Sequence, residues 1–329
     1  MTMKYSVVII SKNNRELLIN SIKNLLRCIP KDTEIVVVES ISPFKDFPFD
    51  NIKYIYVEPS LSGFSIQRNI GVMNATGDYV IFIDDDVEVN NDWFKSLTEP
   101  IVNNNNIIGG MGAVFPKIKG VISFITGVLG HPGGGFRLHY YSRGKMIPLS
   151  QVATCNTIIK KSVIVDVGHF DLKNKYGSED TDLSIRITHK YGKNRFIYIP
   201  NAQVWHYSPN NIKRYLKWYI RRGKADADLF LKHTVHLNYL VSSSISLKIV
   251  VAVALGVLIS WKVLFAIFLV WYGIQLYRAR FMFRYFHVYN FNLLEKILIF
   301  FIFPVFKMIA DIMFDLGRVL RICEKLKGV

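Results

Sequence analysis

Cysteine is scarce in this 329-residue chain: Cys28, Cys155 and Cys323 stand far apart, with no C-x-x-C pair among them. That argues against a disulfide framework and against a paired-cysteine zinc site, and it suits reduced thiols in a cytosolic protein. The apolar stretch from Tyr5 to Ile10 runs at once into Ser11, Lys12 and Asn13, too short for the core of a secretory leader. The bulk of the chain is therefore expected on the cytoplasmic side. No internal repeat or low-complexity tract is present. Acidic residues are in the minority, 25 against 41 Lys plus Arg, giving a formal charge of +16. Such an excess implies an anionic partner: nucleic acid, anionic lipid headgroups or a phosphorylated substrate. Hydrophobic residues make up 50% of the sequence, enough for a sizeable core.

In the first half, short β-branched runs alternate with helix-patterned segments, which predicts βαβ units and a mostly parallel sheet. The expected strands are Ser6–Ile10, Glu34–Glu39, Ile52–Val57 and Tyr79–Asp84. Leu17, Leu18, Ile22, Leu25 and Leu26 fall at helical spacing between Arg15 and Cys28, with Pro30 closing the segment, and a second helix is expected over about Ser65 to Ala75. From Pro116 to Leu149 the chain is glycine-rich, with Gly130, Gly133, Gly134 and Gly135 around His131 and Pro132. This reads as a mobile loop, either a linker or, given the apolar Val121–Leu129 before it, a lid.

After about Leu237 the composition changes. Ile249–Trp261 and Val263–Tyr277 are almost wholly apolar, interrupted by Lys262. At about 1.5 Å per residue each reaches only roughly 20–23 Å, less than the roughly 30 Å of a hydrocarbon core. A tight hairpin of two spans, the first lengthened back to Leu237, is expected, with a re-entrant hairpin as the alternative. Two crossings return Arg278, Arg280 and Arg284 to the cytoplasm, in line with the positive-inside bias. A further apolar segment, Leu293–Phe314, holds Glu295, Lys296, Lys307 and Asp311 and reads as an amphipathic helix lying on the headgroups. The expected divisions are 1–210 for an α/β catalytic domain, 211–236 for a basic juxtamembrane helix, 237–277 for the hairpin, and 278–329 for a basic loop and interfacial tail.

Chemistry concentrates at Asp84-Asp85-Asp86, directly after the apolar strand Tyr79–Ile83. Three consecutive carboxylates repel one another unless a cation joins them, and a hard divalent ion with oxygen ligands suits them. In extended geometry Asp84 and Asp86 share a side while Asp85 faces away. A solvated acidic turn is the plainer alternative. Downstream, Glu179 and Asp180 open a helix through Leu183, Ile185 and Ile187 that Ser178 is placed to cap, so their carboxylates would sit in the favourable first turn. His206, in Val204-Trp205-His206-Tyr207, is either a packed side chain or a further metal ligand. Beyond it Lys213, Arg214, Lys217, Arg221, Arg222 and Lys224 interleave with Tyr215, Trp218 and Tyr219. Their place just before the hydrophobic segments favours a membrane surface over nucleic acid.

Taken together these stretches resemble family 2 glycosyltransferases. The likeness rests on Ser11 and Asn14 after the first strand, Glu39 after the second, Gln67-Arg68-Asn69-Ile70-Gly71, Ala75-Thr76-Gly77-Asp78, Asp84-Asp85-Asp86, Gly168-His169-Phe170-Asp171 and Glu179-Asp180-Thr181-Asp182-Leu183. It covers roughly Tyr5 to Tyr207. One departure is Glu39-Ser40, where the family usually carries Asp followed by Asp, Asn or Gly.

The resemblance implies a GT-A fold and an inverting, metal-dependent transfer of one sugar from a UDP- or GDP-linked donor. Asp180 is the implied base, with Glu179 beside it. Ser11, Asn14, Glu39, Arg68, Asn69, Asp84 and Asp85 are implied at the nucleotide sugar, and Asp86, Asp84 and His206 at Mn²⁺ or Mg²⁺; Arg221 and Arg222, from the basic stretch, are also expected to reach the diphosphate. The Gln-x-x-Arg-Trp motif of the family's processive synthases is missing, so single additions are expected rather than polymerisation. Because a polyprenyl phosphate needs no proton removed whereas a sugar hydroxyl does, the presence of Asp180 favours a glycan hydroxyl, lipid-linked at a membrane, as acceptor. The alternatives are a polyprenyl-phosphate glycosyltransferase, a sugar-phosphate nucleotidyltransferase, which Ser11-Lys12-Asn13-Asn14 does not suit because such enzymes open on a glycine-rich phosphate loop, and a nucleic-acid-binding membrane protein, which gives the acidic triplet no purpose.

Overall fold

Buried on both faces, the runs Tyr5–Ser11 (β1), Glu34–Glu39 (β2) and Tyr79–Asp84 (β4) form the centre of one sheet in the computed structural model. The structure describes residues 3–12, 15–44, 46–117, 120–207, 210–233, 239 and 242–327. Contacts divide the chain into two compact units, Met1–Ile118 with Gly130–Lys175 and Glu179–Ser208, and Lys119–Leu129 with Tyr176–Ser178 and Pro209–Val329. The short pieces 119–129 and 176–178 thus go with the second unit, where the sequence boundary at 210 had put them in the first.

In the first unit, α1 (Arg15–Leu25) buries Leu18, Ser21, Ile22 and Leu25, the i, i+3, i+4, i+7 stripe of an amphipathic helix. It leads to β2, then β3 (Lys53–Tyr56), α2 (Phe64–Asn74) and β4. Then follow β5 (Val87–Val89), α3 (Trp93–Val102), β6 (Gly109–Pro116), α5 (Gly135–Ser142), β7 (Ile147–Leu149), β8 (Asn156–Lys160), α6 (Lys161–Asp166), α7 (Glu179–Tyr191) and β9 (Phe196–His206), with α4 (Val121–Leu129) assigned to the second unit. The strand order is β3-β2-β1-β4-β8-β6-β9-β5, with β7 paired to β9 off this path.

The parallel expectation holds for β3, β2, β1 and β4, but β4–β8, β6–β8, β5–β9 and β7–β9 are antiparallel, so the sheet is mixed. A strand buried on both faces reads as one apolar run whichever way its neighbour points, so the sequence carried no direction for β8 or β9. The glycine-rich 116–149 segment is also more ordered than expected: it contains α4, α5 and β7. Phe124, Ile125 and Phe136 are among its fully buried side chains, which explains why apolar residues accompany the glycines.

One irregularity is filled by a single amide. The register of β6 and β9 shifts between Gly112 and Ala113. Asn156 Nδ2 donates to the Ala113 and Ala202 carbonyls at 3.0 and 2.8 Å, and its Oδ1 accepts from Trp93 Nε1 at 2.9 Å. A buried bulge leaves backbone groups without ladder partners, and this side chain supplies them.

The second unit is helical: α4, α8 (Ile212–His233), α9 (Ile245–Leu258), α10 (Trp261–Ala279) and α11 (Leu293–Leu326). Helix α11 starts on a capping box, Asn292 Oδ1 accepting from Glu295 N while Glu295 Oε2 accepts from Asn292 N, both at 2.8 Å. Helices α8 and α11 cross where Gly223 meets Gly317; a Cβ on either would overlap backbone of the other helix. Ion pairs Arg318–Asp226 at 2.7 Å and Arg321–Asp228 at 3.0 Å flank that crossing, and Asp315 accepts from Ser244 Oγ and Ser246 N at the start of α9. The C-terminal half of α11 is therefore tied by charge to α8, whereas Leu293, Leu294 and Phe301 in its first half are more than half exposed.

Among the described residues, two helical segments are long and apolar enough to cross a membrane, Trp261–Arg284 and Leu293–Leu326. The expected pair was Ile249–Trp261 with Val263–Tyr277. Helix α9, at 14 residues and about 21 Å, falls short of a hydrocarbon core, while α11 continues unbroken past Phe314 for 34 residues. The lengthening back to Leu237 falls partly on residues outside those described.

Candidate functional site

The four parallel strands present their C-terminal ends side by side, and the chain runs β1 to β2 to β3 on one side of β1 before returning to β4 on the other. Such a reversal opens a crevice beyond the carboxyl ends of the strands, where open α/β sheets bind ligands. Asp84 closes β4 at the register of Ile10, and Ser11 closes β1 opposite Glu39 of β2.

His206 comes to this crevice from 120 residues away. It ends β9, and the antiparallel pairing of β5 with β9 sets Val87 opposite His206, which places the imidazole beside the acidic turn. His206 Nε2 lies 3.2 Å from both Asp84 Oδ2 and Asp86 Oδ1. The donor atoms of Asp84, Asp86 and His206 all lie within 4.8 Å of one another. Burial pushes the Asp86 carboxyl up to about 6, with His206 opposing and the Asp84 charge adding to the rise. Burial lowers the basicity of His206, but Asp86 and then Asp84 overcome that and hold it at about 9. Asp84 is desolvated too, yet His206 and Arg68 keep it below its usual value. Two carboxylates and an imidazole at this spacing fit a divalent cation; the oxygens suit Mg²⁺ and Mn²⁺ alike, and the nitrogen favours Mn²⁺.

Asp85 faces away from this trio, as the extended alternation predicts, and accepts from Ser11 Oγ at 2.5 Å. Burial raises its pKa to about 7, Ser11 opposing and the neighbouring carboxylates adding to the rise. The turn is pinned from α1, whose Ser21 Oγ donates to Val87 O at 2.7 Å and accepts from Val87 N at 3.0 Å. Asn24 Oδ1, one helical turn on, accepts from Val89 N at 2.7 Å. Ser21 and Asn24 were not singled out in the sequence, although a serine inside an otherwise apolar buried stripe was a legible signal.

Three consecutive residues of α2 point about 100° apart and so reach three partners. Gln67 Nε2 donates to Ser11 O and Val38 O at 2.9 and 3.0 Å, tying the ends of β1 and β2. Arg68 is buried, forms an ion pair with Glu179, and stands 3.8 Å from Asp84 Oδ1. Asn69 exchanges two hydrogen bonds with the Phe170 backbone, at 2.8 and 2.9 Å, so its amide anchors a loop rather than facing the crevice. Glu179 Oε2 is buried without a hydrogen-bond partner among the described residues. Asp180 is part-exposed, its Oδ1 accepting from Thr181 N at 2.7 Å, and its charge acts together with that of Asp84 on the buried Cys155 thiol, which burial first and then both carboxylates push up. Ser178 has a φ of 64°, in the left-handed region, which is not the extended backbone of a capping residue.

At the far end of the crevice the Glu39 side chain is fully buried, taking Arg15 Nε at 2.8 Å and Tyr54 Oη at 2.6 Å. Asn14 lies outside the described residues. Arg221 and Arg222 belong to the second unit, on α8, where Arg222 sits 5.0 Å over the Trp218 ring.

Residues 6–123 match "Glycosyl transferase family 2". The chain is 30% identical over 190 residues to "Succinoglycan biosynthesis protein ExoM" of Rhizobium meliloti, a match that covers 56% of each protein. It thus spans little more than half the length of that relative. Among solved structures it is similar to the mannosyltransferase PcManGT of Pyrobaculum calidifontis in complex with GDP-Man and Mn²⁺, with a TM-score of 0.58 and 15% identity over 99% of this chain and 88% of that one. It is also similar to GalNAc-T7 with UDP, GalNAc and Mn²⁺, with a TM-score of 0.50 and 17% identity over 68% of this chain and 51% of that one. The mixed sheet with its acidic turn at the end of β4 thus has the GT-A fold of these similar structures, and residues 6–123 within it resemble glycosyl transferase family 2.

Proposed function

We propose that the protein is an inverting, metal-dependent glycosyltransferase that moves one sugar from a UDP- or GDP-linked donor to a hydroxyl of a lipid-linked glycan at a membrane. The observation that carries this reading is the convergence of Asp84, Asp86 and His206 within 4.8 Å at the C-terminal end of β4. The family match over residues 6–123 and the Mn²⁺ in the two similar solved structures support it.

Asp84, Asp86 and His206 would hold Mn²⁺ or Mg²⁺, which when bound offsets the negative charge that builds on a departing nucleoside diphosphate. Ser11 holds the Asp85 carboxylate, and Ser21 holds the backbone of the turn that carries Asp84 and Asp86. Arg68, held by Glu179, sets a positive charge beside Asp84, where it would face the diphosphate of a bound donor. Asp180 takes the proton of the acceptor hydroxyl as it attacks the anomeric carbon from the face opposite the leaving group, so the configuration inverts. No covalent sugar intermediate is needed.

The membrane reading draws on Trp261–Arg284 and Leu293–Leu326 and on the basic face of α8. The catalytic domain and the C-terminus are placed on the cytoplasmic face; a reporter at the C-terminus labelled only from outside would overturn that. Nucleotide release tests the activity: purified protein with Mn²⁺ and a panel of nucleotide sugars, offered a lipid-linked saccharide and a bare polyprenyl phosphate side by side. Metal-dependent transfer to the saccharide is expected. Efficient transfer to the bare phosphate, undiminished in Asp180→Asn, would replace the acceptor assignment with the polyprenyl-phosphate one.

A further inference from the structure

We infer that Tyr176 is a positioning residue for Asp180, anchored by α8 and α11 so that the chain enters α7 with that carboxylate in one place. This rests on the reading of Asp180 as the base and adds what fixes its position.

The residues just ahead of α7 group differently from α7 itself. Tyr176–Ser178 go with the helical unit, whereas Glu179 and the rest of α7 go with the sheet. Tyr176 Oη donates to Glu324 Oε2 of α11 at 3.0 Å, from 148 positions away in the sequence. Lys224 Nζ of α8 lies 5.0 Å from the centre of its ring, and the Arg321 guanidinium of α11 lies 5.1 Å from it. An aromatic face attracts cations through its quadrupole. Those cations are themselves held: Lys224 and Arg321 both pair with Glu324, and Arg321 pairs with Asp228 of α8 at 3.0 Å. Tyr176 is therefore seated in a closed network of charges rather than on one bond.

Only Gly177 and Ser178 lie between that anchor and Glu179. Both have positive φ, 110° and 64°. For a serine this region is disfavoured, and it persists where the structure on either side imposes it. On one side stands Tyr176; on the other, Glu179 pairs with the buried Arg68.

Asp180 has no such tie of its own. Among the described residues its side chain bonds only within its own turn, Oδ1 accepting from Thr181 N at 2.7 Å and from Thr181 Oγ1 at 3.4 Å. A helix end held through Glu179 alone can still turn about that point, and Asp180, about 100° further round the helix, would swing with it. A second hold two residues before Glu179 removes that freedom. The C-terminal half of α11 thus acts on the reaction through the joint Gly177-Ser178, with none of its own side chains at the reacting atoms.

The test is a mutant cycle on the full-length protein. It reads kcat of Mn²⁺-dependent transfer, binding of UDP and GDP by calorimetry, and amide hydrogen exchange over residues 177–181. Tyr176→Leu is expected to lower kcat by about 10–10²-fold, as a misplacement on the order of 1 Å does. Nucleotide affinity should stay as in the wild type, and exchange over 177–181 should speed up. Tyr176→Phe keeps the ring and loses the bond to Glu324, so its loss should be smaller. In an Asp180→Asn background Tyr176→Leu should lower kcat no further, because no base is left to misplace; a general defect of the fold would cost the same factor in both backgrounds. If Tyr176→Leu does not fold, Tyr176→Phe and Glu324→Gln carry the same comparison. Losses that multiply, or kcat and exchange unchanged in a folded Tyr176→Leu, overturn the assignment of Tyr176 alone. If Asp180→Asn itself turns over like the wild type, the base reading falls with it.

Discussion

The two ends of the crevice carry acidic side chains in opposite states. At the β2 end, Glu39 is enclosed and both its oxygens are matched by Arg15 and Tyr54. At the β4 end, Asp84, Asp85 and Asp86 stand together, opposed by one imidazole and by Arg68 at 3.8 Å, and burial with mutual repulsion raises Asp85 and Asp86 well above the usual carboxylate range. A charge the protein has already neutralised is scaffold. A cluster it has left short of positive charge is where a cation has most to gain, because desolvated like charges are relieved only by an ion or by protons.

The largest effect expected from breaking the acidic end is that of Asp86→Ala, which removes a candidate ligand and should abolish Mn²⁺-dependent transfer while the circular dichroism spectrum stays that of the wild type. Near-normal turnover with Mn²⁺ would refute the metal assignment. Next comes Asp180→Asn, expected to lower turnover by about 10²–10⁴-fold with donor affinity little changed, measured by steady-state kinetics beside nucleotide binding. A matching loss in donor affinity would make Asp180 a binding residue instead.

The pH response distinguishes the two ends more finely. His206 has its pKa raised from 6.5 to about 9, and Asp85 and Asp86 have theirs raised from 3.8 to about 7 and about 6. Each raised value stabilises the ion-free fold at low pH, and the contribution is lost as pH rises through the folded-state value. The melting temperature of ion-free protein should therefore fall between pH 6 and 9, and added Mg²⁺ should restore it. Mg²⁺ affinity should climb over the same range, by up to about tenfold per pH unit where the bound ion displaces one proton from His206. A melting temperature indifferent to pH, or an affinity that falls with it, contradicts this picture. The smallest effect is that of Ser21→Ala, which strips the hydroxyl from the Val87 N–H and should cost about 1–3 kcal/mol, seen as a melting temperature lower by a few degrees and a weaker Mg²⁺ isotherm. No change in either would mean that the acidic turn holds itself.

Much of the acidic end was legible in the sequence, because its parts are local. An apolar strand ending in three carboxylates fixes where they sit and which way each points, and Asp85 does turn from Asp84 and Asp86 to Ser11. The strands Glu34–Glu39 and Tyr79–Asp84 begin and end where the pattern placed them. The enclosed end was not legible: Glu39 was expected at the nucleotide, but its partners Arg15 and Tyr54 are 24 and 15 residues away, and no periodicity links them. Asn69 looked like a ligand contact within its motif, yet it faces Phe170, a residue 101 positions on.

What the sequence determined by itself was the set of elements and their chemistry, since a run of β-branched residues, an apolar helical stripe and an acidic strand end each follow from interactions among near neighbours. The tertiary structure alone decided the direction of β8 and β9, the ordering of the glycine-rich 116–149 segment around buried Phe124 and Phe136, and the lengths of the C-terminal helices. It also decided that His206 meets Asp86 through the pairing of β5 with β9, and that Arg15 closes Glu39. Those outcomes depend on which surfaces remain to be buried once the central strands have formed, a property of the whole packed sheet that no short window of the chain contains.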